Sequence, residues 1–403
     1  MTLNWVNKES QKLKDESRWR QVRQIPKRDV LNFSSNNYLG LARHPRVIAA
    51  AQQALQEWGT GATASRLISG TIPIHPQLET ALAQYAEYEA ALVFPSGYMT
   101  NLGVITALVG AGDAVVMDRL CHASLIDAVK LSGARLFVYA HKDLNEAERA
   151  LQRTVSYRRR LLITDSLFSM DGDFAPLKEL LVLCRQYGVM SLADDAHAFG
   201  IWNTTEISEF GIRNLDLMKP IEKVQDDSKA ISKQSSTNRQ SAIGNPQLMP
   251  DLLVGTLSKT LGSQGGFVCA SQSIIDWIIN KARSFIYTTG LAPTSAAAAL
   301  AALRLLQTDH LPREKLKKNA SLLREGLAEK GFDILKSSSQ IVPILLGDIE
   351  FTLALSKTLE TKGIYAPAIR PPTVPKNGCR LRFSVTAEHS ESDIERLLGA
   401  LNE

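Results

Sequence analysis

The stretch "AALVFPSGYMTNLGVITALVGAGDAVVMD", Ala90–Asp118, decides the fold. It opens with a short apolar run, turns at "PSG", continues with a helical period in "NLGVITALVG", and closes on a second apolar run, "AVVMD". Short apolar runs joined by a helix read as a βαβ unit. The same alternation continues on both sides. "HPQLETALAQYAEY" before it and "ASLIDAVKLSG" after it have helical periods. "RLFVYA", "RLLITDS", "VMSLADD", "LLVGT" and "GFVCAS" read as strands, with the helix "KELLVLCRQYG" among them. The expectation is an α/β protein with a mostly parallel sheet covered on both faces.

Composition narrows the function classes. The chain has 403 residues, 22% charged and 44% apolar, with a net charge of +5, as in ordinary globular proteins. No stripe of Lys and Arg interleaved with aromatics suggests nucleic acid. The basic stretch "RWRQVRQIPKR", Arg18–Arg28, reads as a solvated helix face rather than a polyanion site. Cys121, Cys184, Cys269 and Cys379 are widely spaced and outside any CxxC pattern, which argues against a disulfide framework or a zinc site. The start "MTLNWVNKESQKLKDES" lacks the apolar core of a signal peptide, and "SAAAALAALRLL" is too short to span a bilayer. A cytoplasmic protein with no membrane partner is expected.

Three divisions are expected: an N-terminal segment over residues 1–50, a large domain over 51–309 and a smaller α+β domain over 310–403. Residues 202–249 interrupt the pattern. They run through "KPIEKVQDDSKAISKQSSTNRQSAIGNPQ", which holds too little apolar surface to offset ordering entropy, and read as a disordered polar insertion.

Ligands in doubly wound sheets sit beyond the carboxyl ends of the strands, and chemically capable residues gather there. "FPSGYMTN" places Gly97 and Tyr98 where a strand opens a helix, a cradle for an anion. His122 follows a second strand, Ser169 a third, Asp194 and His197 a fourth, and Thr256 and Lys259 a fifth. Each alone has a plainer reading: a helix cap, a core histidine, a solvated lysine. A metal site built from Asp194, Asp195 and His197 is disfavoured because consecutive residues converge poorly on one ion. Together, an anion cradle, a histidine, a carboxylate and a lysine suit pyridoxal 5'-phosphate (PLP). The phosphate needs donors, the aldehyde a lysine, the pyridine nitrogen a carboxylate, and the ring a flat partner. The small residues of "GTLSKTLGSQGG", Gly255–Gly266, then leave room for a bulky group on Lys259.

With these motifs in view, the chain resembles the α-oxoamine synthases, a family of fold-type I PLP enzymes. The resemblance runs from "LNFSSNNYLGL" at Leu31 to the C-terminus, through "ASRLISGTIPIHPQLE", "SGYMTN", "HASL", "FSMDGDFAPL", "DDAH" and "GTLSKTLGSQGG". It implies a seven-stranded type of sheet in the large domain. It also implies that Lys259 bonds the cofactor and moves the Cα proton, that Asp194 pairs with the ring nitrogen, that His197 meets the phenolic oxygen and that His122 stacks on the ring. Gly97, Tyr98, Ser169 and Thr256 would hold the cofactor. Thr288 or Thr289 would reach the phosphate of a partner subunit in a homodimer. Asn36 and Arg382 would orient the amino-acid carboxylate, with Thr373 and Arg20 near the substrate.

"AIRPPTVP", Ala368–Pro375, and "SKTLGSQGG" look most like the branch of that family whose members condense L-alanine with a pimeloyl thioester, carried on coenzyme A or on an acyl carrier protein. A sister synthase using glycine or serine, and a non-catalytic paralogue, are the alternatives. The chain departs from the family pattern at Ala64, Ala198 and Asp165–Ser166, and "IWNTTEISEFG" replaces a glycine-rich turn that lies close to the active site in relatives.

Overall fold

In the computed structural model, which describes residues 3–22, 24, 30–213 and 248–401, the large unit is built on seven strands. These are β1 (Ala90–Phe94), β2 (Ala114–Asp118), β3 (Arg135–Tyr139), β4 (Arg160–Asp165), β5 (Met190–Asp194), β6 (Leu252–Thr256) and β7 (Gly266–Ala270). Their spatial order is β1-β7-β6-β5-β4-β2-β3. Every neighbouring pair is parallel except those that β7 makes with β1 and β6, which are antiparallel. The sheet is thus mostly parallel, as its unbroken apolar runs imply: β2 and β7 are buried along their whole length. β3 lies at the edge and alone among them exposes Arg135 and Val138.

Helices cover both faces. Val115, Met117, Ile163 and Val254 pack under the helices Gly97–Leu108 and Ala123–Ser132. Val116 and Leu162 pack on the opposite face with Ala147, Leu151, Leu180 and Cys184 of the helices Leu144–Gln152 and Leu177–Tyr187. The alanine-rich helix Pro293–Thr308 packs along Pro45–Trp58, where small side chains permit close approach. The latter helix runs through residue 50, so the expected division between residues 50 and 51 falls inside one element.

The C-terminal unit contains β8 (Ile341–Gly347), β9 (Ala368–Ile369) and β10 (Cys379–Ser384), antiparallel in the order β9-β10-β8. Helices Leu311–Glu329, Ile349–Thr361 and Glu391–Ala400 accompany them. The segment Leu31–Asn32 pairs in parallel with Ile364–Tyr365, Ser384 donates its N–H to Phe33, and Ala387 to Tyr38. The residues just before Pro45 are therefore bound to the C-terminal unit rather than forming a free arm.

Two expectations need correcting. The first is the disordered insertion at 202–249. Its first part is ordered: Trp202 is buried and Thr204–Arg213 is a helix that buries Ile207. Asn203 and Glu206 cap that helix reciprocally, each accepting the other's backbone N–H at 2.9 Å. At the far end Leu248 packs against the core. Residues 214–247 lie outside the described residues. The second is the basic stretch: helix Asn4–Asp15 ends before it, and its described residues 18–22 and 24 are not helical.

Candidate active site

A cavity of about 260 Å³ opens at the carboxyl ends of the parallel strands. Gly97, Tyr98, His122, Asp194, His197, Thr256 and Lys259 all line it. Strand ends separated widely in sequence thus meet at one cavity. Ser96 caps the helix Gly97–Leu108 by accepting the Met99 N–H at 3.2 Å, so that helix's N-terminal donors and positive dipole end face the cavity. Opposite them, Gly266 must be glycine: a Cβ there would lie 2.6 Å from the Gly97 nitrogen and 2.4 Å from Thr100 Oγ1. The turn after Lys259 is equally constrained, because a Cβ on Gly262 (φ +60°) would meet the Ala42 nitrogen at 2.3 Å.

Asp194 is buried, and its carboxylate is held from two sides. Asn101 Nδ2 donates to Oδ2 at 2.8 Å and the Ala196 N–H to Oδ1 at 3.0 Å. Asn101 also donates to Ser124 Oγ at 2.9 Å. His122 caps the helix Ala123–Ser132; its Nδ1 lies 2.7 Å from Ser124 Oγ. Burial, opposed by Asp194 and helped by Lys259, lowers its pKa. Asp165 stands in register with Asp194 on the neighbouring strand and accepts the His122 N–H at 3.3 Å. Burial first, then the charge of Asp194, pushes its carboxyl well above the ordinary range. Burial likewise lowers the pKa of Lys259 to about 8, with Arg382 helping and Asp194 and Asp165 opposing.

The remaining sequence candidates fall in other places. Asn36 and Arg382 meet: Arg382 donates from one guanidinium nitrogen to Asn36 Oδ1 at 3.4 Å and from another to Ser384 Oγ at 2.9 Å. Ser169 is not among the residues lining the cavity; its backbone carbonyl accepts from Arg382 Nε. Arg20 and Thr373 meet each other at 2.9 Å and are not among the lining residues. Thr288 and Thr289 do not line the cavity either. Thr289 bridges to Ser65 beside the exposed Leu67, Ile68 and Tyr287. Asp195 points elsewhere than its neighbour Asp194 and lines a separate cavity of about 200 Å³ with Ser166 and Arg313.

Several lining or supporting residues escape a reading of the sequence: Asn101, Ser124, Asp165, Ser258 and Tyr38. Asn101 follows Gly97 by four residues on the same helix, so the i, i+4 spacing carries a signal for it. Tyr38 carries none.

These features fit PLP. A helix N-terminus and the hydroxyls of Thr256 and Ser258 offer donors for a phosphate. A buried carboxylate that accepts from two donors suits a ring nitrogen, and an amine of lowered pKa stands on the same cavity. Fold and site together define a fold-type I PLP-dependent enzyme.

Comparison with known proteins agrees. The model of the aminotransferase class I and II family matches residues 28–401. The chain is 43% identical over 376 residues to 8-amino-7-oxononanoate synthase of Geobacter sulfurreducens, covering 93% of this chain and 88% of that protein. It is 37% identical to 8-amino-7-oxononanoate synthase 2 of Bacillus subtilis, covering 98% and 96%. Among solved structures, serine palmitoyltransferase of S. paucimobilis with a bound PLP–myriocin aldimine superposes with a TM-score of 0.83 at 29% identity, covering 99% of this chain and 96% of that one. The chain belongs to the aminotransferase class I and II family and, within it, to the family of the 8-amino-7-oxononanoate synthases. It is a PLP-dependent acyltransferase. Among the described residues, no helix is long and apolar enough to cross a membrane.

Proposed function

We propose that the protein condenses L-alanine with a pimeloyl thioester, releasing carbon dioxide and the free thiol carrier and forming 8-amino-7-oxononanoate for biotin synthesis. The observation that carries this reading is the placement of Arg382 and Asn36, which hydrogen-bonded contacts link to the Lys259 cavity through Tyr38 and His197. A carboxylate held by Arg382 fixes the orientation of an amino acid over the cofactor. Bound there, PLP supplies an electron sink for the charge that develops at Cα. Asp194 would face the ring nitrogen and favour its protonated form, and His122 would cover a face of the ring. Lys259, with its pKa lowered to about 8, is an amine that takes and returns the Cα proton near neutral pH.

Arg20 and Thr373, joined by a hydrogen bond, are the proposed contacts for the acyl substrate. The exposed Leu67, Ile68 and Tyr287 beside Thr288 and Thr289 support a homodimer in which those threonines serve the partner's phosphate. An acidic acyl carrier protein would be met by the basic stretch from Arg18. A cytoplasmic location accords with this chemistry.

The test is product analysis with purified holoenzyme, pimeloyl-CoA and, in separate reactions, L-alanine, glycine and L-serine. Formation of 8-amino-7-oxononanoate from L-alanine supports the reading. Turnover with serine or glycine alone would favour the sister-synthase reading, which the 29% identity to a serine palmitoyltransferase makes the natural second choice.

A further inference from the structure

A chain of hydrogen-bonded contacts runs from Arg382 to His197 through two residues of the "NNYLGL" segment. Arg382 donates to Asn36 Oδ1 at 3.4 Å; the Tyr38 hydroxyl lies 3.1 Å from the same Oδ1 and 2.7 Å from His197 Nδ1. We infer that Tyr38 is a positioning residue: its hydroxyl decides which nitrogen of His197 carries the proton and ties that choice to Arg382 through Asn36. The inference rests on the assignment of PLP to this cavity, and not on the choice of substrates.

The donor inventory makes the case. A guanidinium only donates, so the Asn36 atom facing Arg382 is its oxygen, and that oxygen cannot donate to Tyr38. Tyr38 has one proton for two acceptors, Asn36 Oδ1 and His197 Nδ1, while Arg382 and Gln340 stand beside its oxygen as donors. With the proton on the Asn36 side, the imidazole must supply its own Nδ1–H to the phenol oxygen, and Nε2 is bare. With the proton on the His197 side, the phenol oxygen and Asn36 Oδ1 face each other at 3.1 Å with no proton between them, and Nε2 carries the hydrogen. The first arrangement satisfies every group as placed. The second wins when an anionic oxygen in the cavity holds a proton on Nε2, and it releases Asn36 Oδ1 to Arg382 alone. The cofactor's phenolic oxygen has that chemistry.

Neither partner can swing away. Tyr38 is fully buried, and its carbonyl accepts the Ala387 N–H at 2.7 Å. The His197 carbonyl accepts from Gln340 Nε2 at 2.7 Å, and Gln340 Oε1 from the Trp202 indole at 2.8 Å. Burial, together with the charges of Lys259, Arg382 and His122, keeps the imidazole neutral, so it has only one N–H to place. Occupancy of the cavity and affinity for a carboxylate at Arg382 are then coupled, and the coupling is reciprocal.

The experiment is nitrogen-15 NMR of protein labelled at its seven histidines, with His197 assigned by its loss in His197→Asn. In wild-type protein without cofactor the proton is expected on Nδ1, and with PLP bound on Nε2. In cofactor-free Tyr38→Phe the ring is expected to carry its proton on Nε2, since no oxygen remains to accept from Nδ1. A wild-type apoprotein with the proton on Nε2 would overturn the inference whether or not the variant folds, as would a variant that keeps it on Nδ1. In the holoenzyme, wild type and Tyr38→Phe are expected to differ in L-alanine affinity by up to about tenfold in absorbance titration, the fold-change of one net hydrogen bond. Unchanged affinity would overturn the coupling. A wild-type holoenzyme that gives no response to L-alanine would count against the proposed substrate, and the tautomer results would still decide the role of Tyr38.

Discussion

Asn101 Nδ2 stands 2.8 Å from Asp194 Oδ2 and 2.9 Å from Ser124 Oγ, so one buried amide joins the carboxylate at the end of β5 to the helix that His122 caps. Asp194 is thereby fixed by hydrogen bonds beside a cavity that Lys259 also lines. Removing the donor, as in Asn101→Ala, leaves one carboxylate oxygen without its donor. PLP affinity is expected to fall about 10- to 100-fold, the value of a hydrogen bond to a charged group. Absorbance titration of the apoprotein with PLP measures it; unchanged affinity would show that Asn101 does not support the site.

Lys259 is expected to show its lowered pKa directly. PLP bonds only the unprotonated amine, so the association rate should rise with pH to a midpoint near 8. A midpoint near the ordinary value of 10.5 would mean that burial does not perturb this amine. Stopped-flow mixing of apoprotein with PLP across the pH range measures it.

A largely buried charge cluster outside the cavity is expected to make stability depend on pH. His141 lies between two carboxylates, Nδ1 3.0 Å from Asp118 and Nε2 3.0 Å from Asp173, and Lys142 Nζ also meets Asp173 at 3.0 Å. Burial alone would lower the pKa of His141, but the hydrogen bonds and charges of Asp118 and Asp173 outweigh it and raise the value to about 9. The folded pKa exceeds the unfolded one, near 6.5. The stabilisation is therefore complete below about pH 6.5 and is lost as pH climbs through about 9. His141→Gln is expected to cost about 2–3 kcal/mol at about pH 6 and to flatten the stability profile between about pH 6.5 and 9. Urea denaturation at a series of pH values measures both.

Gly266→Ala is expected to damage the cradle. The added Cβ meets the Gly97 nitrogen, which is backbone at a helix start and cannot rotate aside. Overpacking of this kind costs about 1–3 kcal/mol, and displacement of the helix end should lower PLP affinity as well. Thermal unfolding and cofactor titration separate the two effects. A variant with wild-type values for both would show that the strand and helix have slack here.

What can be read from the sequence follows from locality. The alternation of apolar runs and helical periods locates all seven large-sheet strands, because each strand is buried or bounded by turn residues within its own few positions. Strand ends are local too, so His122, Asp194, Thr256 and Lys259 gather from the one-dimensional pattern alone. Arg382 and Asn36 lie 346 residues apart, and only the resemblance to a family joins them. Tyr38 reads as one more apolar residue in "NNYLGL". Thr204–Arg213 reads as disorder because its apolar residues are few. Its stability comes from Trp202 and Phe210 packing around Phe174 and from Lys317 lying over the Trp202 ring, contacts that no local pattern reveals.

The most direct measurement is borohydride reduction of the PLP-loaded protein, followed by peptide mapping with mass spectrometry. The expected result is one pyridoxyl group per chain, irreversibly fixed on Lys259 Nζ, with loss of the visible absorbance band. A label on another lysine, or a protein that stays colourless and unlabelled with excess PLP, would contradict the assignment of this cavity.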